Sequence, residues 1–368
     1  MCIRDRNYIS LLINGFNYTN EALLEGAWLK KYPSTKKETW QKSLHQFITE
    51  WINEEDFVTV QTSGSTGKPK KIKLLKERMM NSAFMTGQYF DFKSGQKAIL
   101  CLPCDYIAGK MMVVRAMMWG LDLQLVPPKG NPMVAINQPI DFAAMIPLQV
   151  ATVFEENPEK FSLIKKLIIG GGKVDAQLAE KLQTITTQCY ATYGMTETIT
   201  HVAIKKLNGQ HPTNYFEALS RIDLSTDKRG CLKIDAPKLS AETVVTNDII
   251  DLKNNKQFEW LGRFDNVINT GGIKVFPEKI ESALEKFISQ RFFITALPDK
   301  KLENKVILII EDKAWITKKL NALKLDIKEV LSKFEQPKAI YFIAKFEETP
   351  TKKIQRNRTK QKVIKFNL

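Results

Sequence analysis

Two short segments carry residue types that do chemistry on phosphates. The first, Thr62-Ser63-Gly64-Ser65-Thr66-Gly67-Lys68-Pro69-Lys70, follows a strand-like run from Phe57 to Gln61. Eight of its nine residues are small or cationic, so backbone N–H groups and hydroxyls can wrap a polyphosphate while the lysines neutralise it. It is not a Walker A loop, which needs four residues between its glycines and a Ser or Thr after its lysine. Here only Ser65 and Thr66 intervene, and Pro69 follows Lys68. A plain surface turn would account for two glycines, but not for so dense a run. The second segment, Tyr193-Gly194-Met195-Thr196-Glu197-Thr198, also follows a strand-like run directly, and a strand end is where open α/β sheets place ligands. Thr196 suits a phosphate oxygen, and Glu197 is a hard oxygen ligand suited to Mg2+ carrying ATP. The Tyr193 ring suits the flank of an adenine. Taken singly, each of these residues fits an exposed polar turn equally well.

The elements that must hold these segments are legible in outline. Trp40, Leu44, Phe47, Ile48 and Trp51 fall on one helical face between residues 37 and 51. Strand-like runs at 98–102, 121–126, 163–169 and 188–193 alternate with helical stretches that include 107–119 and 176–182. This alternation predicts an α/β fold with a largely parallel sheet. Beyond about residue 200 the pattern changes to short strands and turns up to Leu261. Then come a helix at 277–287, strands at 291–297 and 306–310, a helix at 316–331 and a strand at 339–346, enough for a small α+β domain.

Composition excludes several classes. The 368 residues, 43% apolar and 26% charged, suit a globular protein of two domains. No apolar run approaches the roughly 20 residues of a membrane span, and the N-terminus has no signal-peptide core, so a cytoplasmic location is expected. The segment 1–6 fits no recognised pattern and carries no argument. Five cysteines, an odd and scattered set, make no disulfide framework. Cys101 and Cys104 form a lone CxxC; with only three histidines in the chain, no second ligand pair suggests zinc. The net charge of +15 invites a nucleic-acid reading, yet the basic residues are dispersed apart from 352–365 and no nucleic-acid motif accompanies them. Positive charge equally suits a protein handling ATP, pyrophosphate and an anionic acid.

Together the two phosphate-type segments resemble the adenylate-forming superfamily of acyl-CoA synthetases, luciferases and peptide-synthetase adenylation domains. The resemblance continues through Ile169-Gly170-Gly171-Gly172-Lys173, similar to the family's adenine-facing glycines, and Val245-Thr246-Asn247-Asp248, where the family's aspartate holds the ribose hydroxyls. Next is Leu261-Gly262-Arg263-Phe264-Asp265, running on to Gly271-Gly272-Ile273-Lys274. Last comes Thr349-Pro350-Thr351-Lys352-Lys353-Ile354-Gln355-Arg356. Six segments thus stand in family order between residues 61 and 356.

The resemblance implies ATP, Mg2+ and coenzyme A as cofactors. By it, residues 62–68 and Lys70, with Tyr193 and Gly194, belong to the ATP site. Thr196, Glu197 (the Mg2+ ligand) and Lys353 are catalytic, and Arg263 touches ribose and phosphate. Asp265 becomes the hinge, and Gly271, Gly272 and Lys274 line the CoA channel. A large N-terminal α/β domain with mostly parallel sheets (1–262) and a small mobile α+β C-terminal domain (263–368) are expected. Three departures stand out. Asn247 replaces a glycine. Lys352 also does so, which leaves Lys352 as a rival of Lys353 for the catalytic role; Lys353 is chosen because it precedes Ile354-Gln355-Arg356. The chain is also short for the family, chiefly at its N-terminal end.

The inventory agrees with the implied reaction. A carboxylate is already ionised at pH 7, so its attack on phosphorus needs no general base; what is needed is charge stabilisation. Within the superfamily, the length and the helix after Cys104 are most similar to the o-succinylbenzoate–CoA ligases of menaquinone synthesis. Such a dianionic acid needs a fixed cation for its second carboxylate. Lys110 and Arg115 are the candidates, with Tyr106 (where the family has histidine) and His201 as further pocket residues. Another acid, a carrier-protein thiol as acceptor, or a non-catalytic nucleotide binder remain alternatives. The oligomeric state stays open, a homodimer included; no nucleic acid or membrane partner is expected.

Overall fold

The computed structural model describes residues 10–31, 39–61, 71–348 and 354–367. A hairpin of β1 (Ser10–Ile13) and β2 (Phe16–Thr19) leads to a short helix α1 (Asn20–Leu24) and the amphipathic α2 (Thr39–Ile52). A second hairpin, β3 (Phe57–Gln61) with β4 (Lys71–Leu75), spans the stretch that holds the first phosphate-type segment. The α/β run follows: α3 (Lys76–Phe90), β5 (Lys97–Leu100), α4 (Ile107–Trp119), β6 (Asp122–Leu125), β7 (Ile140–Met145), α5 (Pro147–Glu156), β8 (Ile164–Ile169), α6 (Ala176–Leu182) and β9 (Gln188–Gly194). The strand expected to reach Leu102 stops at Leu100.

Strands β1, β6, β5, β7, β8 and β9 are parallel neighbours in that order. The same sheet continues beyond β9 as antiparallel strands: β10 (His201–Lys206), β11 (Phe216–Ala218), β12 (Asp223–Thr226), β13 (Cys231–Asp235), β14 (Val244–Asn254) and β15 (Gln257–Arg263). Its strand order is β12-β13-β14-β15-β11-β10-β9-β8-β7-β5-β6-β1-β2. Both faces of the parallel part are covered, as parallel sheets require. Alternate residues show it: Ala98, Leu100, Phe142 and Ala144 join the core with α2, α3 and α4, whereas Ile99, Ala143 and Met145 join the core with α5 and α6. Helix α4 is buried without a break from Gly109 to Ala116, which accounts for its apolar sequence and obliges Lys110 and Arg115 to lie inside the protein.

The remaining chain forms its own sheets and cores. Strands β16 (Ile268–Thr270) and β17 (Ile273–Val275) pair around Gly271 and Gly272, whose φ angles of +57° and +78° suit the two-residue hairpin turn that excludes most side chains. Helix α7 (Pro277–Leu284), β18 (Phe292–Asp299), β19 (Glu303–Glu311), α8 (Thr317–Val330), β20 (Ala339–Ile343) and α9 (Arg356–Asn367) complete it. Val306, Leu308 and Ile310 face α7 and α8, while Ile307 and Ile309 pack with Phe346 and Val363 of the opposite face. No described helix is long and apolar enough to cross a membrane.

Candidate active site

The end of β9 is built to present a polar turn. A Cβ on Gly194 would lie 2.1 Å from the Thr200 carbonyl oxygen, so only glycine permits the return of the chain. Thr198, fully buried, shares its hydroxyl proton between the carbonyls of Met195 (3.0 Å) and Thr200 (2.9 Å) and accepts from the Met195 N–H (3.2 Å). Ile199, also buried, takes φ +66°, a strained conformation for a β-branched residue. This stapling leaves Thr196 half-buried and Glu197 exposed. Neither side chain hydrogen-bonds to another described residue, so the Glu197 carboxylate is free to meet a cation.

Beside this turn lie the other expected nucleotide residues. Gly170–Gly172 follow β8, with the Gly170 N–H bonded to the Met145 carbonyl (3.1 Å) and the Thr192 hydroxyl donating to Ile169 (3.3 Å). Asp248 and Arg263 are paired residues of β14 and β15. The Arg263 guanidinium stands 3.5 Å from Asp248 and 3.7 Å from Asp265. Asp248 is 6% exposed and accepts a 2.6 Å hydrogen bond from the Tyr193 hydroxyl. Burial, then the Asp248 charge, pushes the Tyr193 phenol well above its usual range, so the proton stays on the tyrosine. Asn247, the departure from the family pattern, accepts from Arg229 (3.0 Å) and donates to Asp265 (3.4 Å). Arg229 in turn lies over the Phe264 ring, 5.0 Å from its centroid. This link between the expected ribose motif and the expected hinge residue is not encoded in any local motif.

The expected acid-pocket residues part company. Lys110 turns to α2, where its ammonium meets Glu50 (3.2 Å) and the Phe47 ring (4.6 Å). Glu50 also accepts from the Thr59 N–H (2.6 Å), so one carboxylate joins α2, β3 and α4. Tyr106 is 47% exposed at the start of α4. Arg115 and His201, by contrast, come together inside. Arg115 is 2% exposed, its Nε has no hydrogen-bond partner, and no carboxylate pairs with it among the described residues. Burial pushes its pKa down to about 10, still charged at neutral pH. His201 is held well below the usual imidazole range by burial and by the Arg115 charge. The Thr86 hydroxyl donates to the Ser82 carbonyl (3.0 Å), leaving its oxygen to accept from His201 Nε2 (3.2 Å). The Cys101 and Cys104 thiols are buried and pushed up to about 12 by burial. Residues 62–70, Lys352 and Lys353 lie outside the described residues. Gly271, Gly272 and Lys274 are in the β16–β17 hairpin, anchored by the Gly271 N–H to the Leu302 carbonyl (2.9 Å).

Comparison with known proteins adds the family. An acyl-CoA synthetase (AMP-forming)/AMP-acid ligase II-like protein from Dyadobacter fermentans is 34% identical, over 91% of this chain and 98% of its own, with a TM-score of 0.61. The o-succinylbenzoate coenzyme A synthetase of Bacillus subtilis, solved with ATP and magnesium ion, shares the fold at a TM-score of 0.72 and 14% identity, covering 97% of this chain and 98% of that one. The 2-succinylbenzoate–CoA ligase of Haemophilus influenzae is 22% identical over 317 residues, 76% of this chain and 65% of the relative. That of a Geobacillus strain is 23% identical over 344 residues, 83% and 69% of the two. The chain therefore spans about two thirds of the length of these curated relatives. The family model described as AMP-binding enzyme matches residues 17–221, from the first hairpin through the Tyr193–Thr198 turn, and the chain belongs to this family.

Proposed function

We propose that the chain is an ATP-dependent acid–thiol ligase that converts a carboxylic acid to an acyl-adenylate and then to an acyl-CoA, with o-succinylbenzoate as the acid. The observation that carries the first half is the convergence of Tyr193, Asp248 and Arg263 beside the open Thr196–Glu197 turn. An exposed carboxylate with no described partner suits a hard cation, so Glu197 would hold Mg2+, which neutralises phosphate charge when bound. Asp248 and Arg263 hold the ribose, Gly170–Gly172 and Tyr193 border the adenine, and residues 62–68 with Lys70 wrap the phosphates. The acid's carboxylate oxygen attacks the α-phosphorus and pyrophosphate leaves. Lys353 stabilises the charge that develops. The CoA thiol then displaces AMP at the acyl carbon through a channel at Gly271, Gly272 and Lys274. The small domain, beginning at residue 263, swings about Asp265 between the two steps.

For the acid, Arg115 is the stronger of the two cations. A buried guanidinium with no carboxylate partner among the described residues is costly, and a substrate carboxylate would relieve it; Lys110 already has Glu50. His201, neutral beside Arg115, adds a polar contact without a competing charge. The test is a panel of acids scored by pyrophosphate release, with and without CoA. Release with o-succinylbenzoate and CoA-dependent thioester formation are expected. Exchange with another acid would reassign the substrate, and no exchange with any acid would overturn the ligase reading.

A further inference from the structure

Tyr193 is placed to do more than flank an adenine. Its ring reaches from the end of β9 over β11 and β15, with centroids 5.8 Å from Phe216 and 5.1 Å, edge-on, from Phe258. Those two phenylalanines stack on each other at 5.4 Å, so the tyrosine is braced along its length. At its far end the hydroxyl donates to Asp248 Oδ2 at 2.6 Å. An ionised carboxylate offers about four acceptor positions. Tyr193 takes one on Oδ2, and Arg263 Nη1 faces one on Oδ1 at 3.5 Å. Two stay open, which is the number that the adjacent hydroxyls of a ribose can fill. The Asp248 carboxylate could otherwise turn about its side-chain bonds toward Arg263 or solvent.

We propose that Tyr193 is a positioning residue whose hydroxyl fixes the Asp248 carboxylate so that its open acceptor positions meet the ribose diol of the nucleotide. This rests on the reading of Asp248 as the ribose ligand, and the test separates the two. Tyr193→Phe keeps the ring and its packing and removes only the hydroxyl. Binding of ATP and of 2′,3′-dideoxy-ATP to the full chain is measured by calorimetry for wild type, Tyr193→Phe, Asp248→Asn and the double variant. Wild type is expected to prefer ATP. Tyr193→Phe should weaken ATP by about tenfold, the value of one charge-assisted hydrogen bond, and leave the dideoxy nucleotide nearly unchanged. In Asp248→Asn the added Tyr193→Phe change should have little further effect. In pyrophosphate exchange the loss should appear in KM for ATP and spare kcat. If Tyr193→Phe weakens both nucleotides equally, or neither, the positioning role is overturned. If wild type and Asp248→Asn make no distinction between the nucleotides, the ribose assignment itself falls and the role with it.

Discussion

At the scale of single residues, the site depends on a few side chains that the fold deliberately leaves unmatched. Glu197 is exposed at the end of a turn held by Thr198 and by the strained Ile199. Replacing it by Ala removes the proposed cation ligand without touching the core. Glu197→Ala should therefore lose pyrophosphate exchange by about 100-fold or more while keeping its melting temperature. Near-normal exchange would remove Glu197 from the metal site. Arg115 is unmatched in the opposite sense, a buried charge with no carboxylate partner among the described residues. Arg115→Met should lower kcat/KM for o-succinylbenzoate by about 10- to 100-fold, the value of a charge-assisted contact in a partly dry pocket. A benzoylpropionate-like monoacid should be a poor substrate of wild type and indifferent to the change. Because this substitution also removes an uncompensated buried charge, the variant should be no less stable than wild type, so a fold defect cannot imitate the result. Equal loss for both acids would move the second carboxylate elsewhere.

Elements decide which of these residues can meet, and here sequence and structure diverge instructively. Helices α4 and α6 have the bounds their sequences suggest, 107–119 and 176–182, because α4 is apolar apart from Lys110 and Arg115 and α6 has Asp175 as a cap, accepting from the Leu178 N–H at 2.7 Å. Helix α3 was not legible: its inward face is Met79, Ala83, Thr86 and Phe90, and alanine and threonine give little periodic signal. The motif order marked Tyr193, Glu197, Asp248 and Arg263, which local chemistry defines. The partner of Lys110 is 60 positions away in α2, and no spacing rule reaches that far. The Glu50 contacts suggest their own check. Glu50→Ala leaves a mostly buried ammonium and the Thr59 N–H unmatched, and should cost about 2–3 kcal/mol in denaturant unfolding, given that Glu50 is partly exposed. Lys110→Met should cost less and leave diacid preference intact; a lost preference would return Lys110 to the pocket. His201, packed among α3, α4 and β10, makes stability pH-dependent. Its folded pKa lies below its unfolded value of 6.5, so its neutral form stabilises the protein above pH 6.5, and this contribution is lost as pH falls toward the lower folded value. Melting temperature should decline more steeply below pH 6.5 in wild type than in His201→Asn. Parallel curves would show that another group governs the acid limb.

For the molecule as a whole, the proposed swing asks how a larger and a smaller part with separate cores could exchange positions. The described contacts between them include the packing of α7 on β15, where Glu278 lies against Gly262, and a set of polar bonds. Glu285, just after α7, meets Lys173 at 2.6 Å and the Ala176 N–H at 2.8 Å, and Ser282 meets the same lysine at 2.7 Å. These bonds attach the C-terminal half to the loop that follows Gly170–Gly172. On the other side, Arg229 and Asn247 grip Phe264 and Asp265. A swing about Asp265 must break the first set and strain the second, whereas the buried apolar clusters on either side can stay whole. On the proposed role of Lys353, whose charge would serve only the phosphoryl step, Lys353→Ala should abolish adenylation yet spare the reaction of supplied acyl-adenylate with CoA; equal loss in both would overturn that role. Glu285→Ala tests the swing itself without touching a reacting group. The Lys173 pair is partly exposed, with side-chain exposures of 46% and 17%, so the contact is worth about 1 kcal/mol. Removing it shifts a two-state balance by up to about fivefold. The two half-reactions, measured separately, should then move in opposite directions, one faster and the other slower, since the contact stabilises one arrangement at the expense of the other. Changes of the same sign in both halves, or none in either, would mean that the Glu285 contacts survive the cycle and that the moving boundary lies elsewhere in the chain.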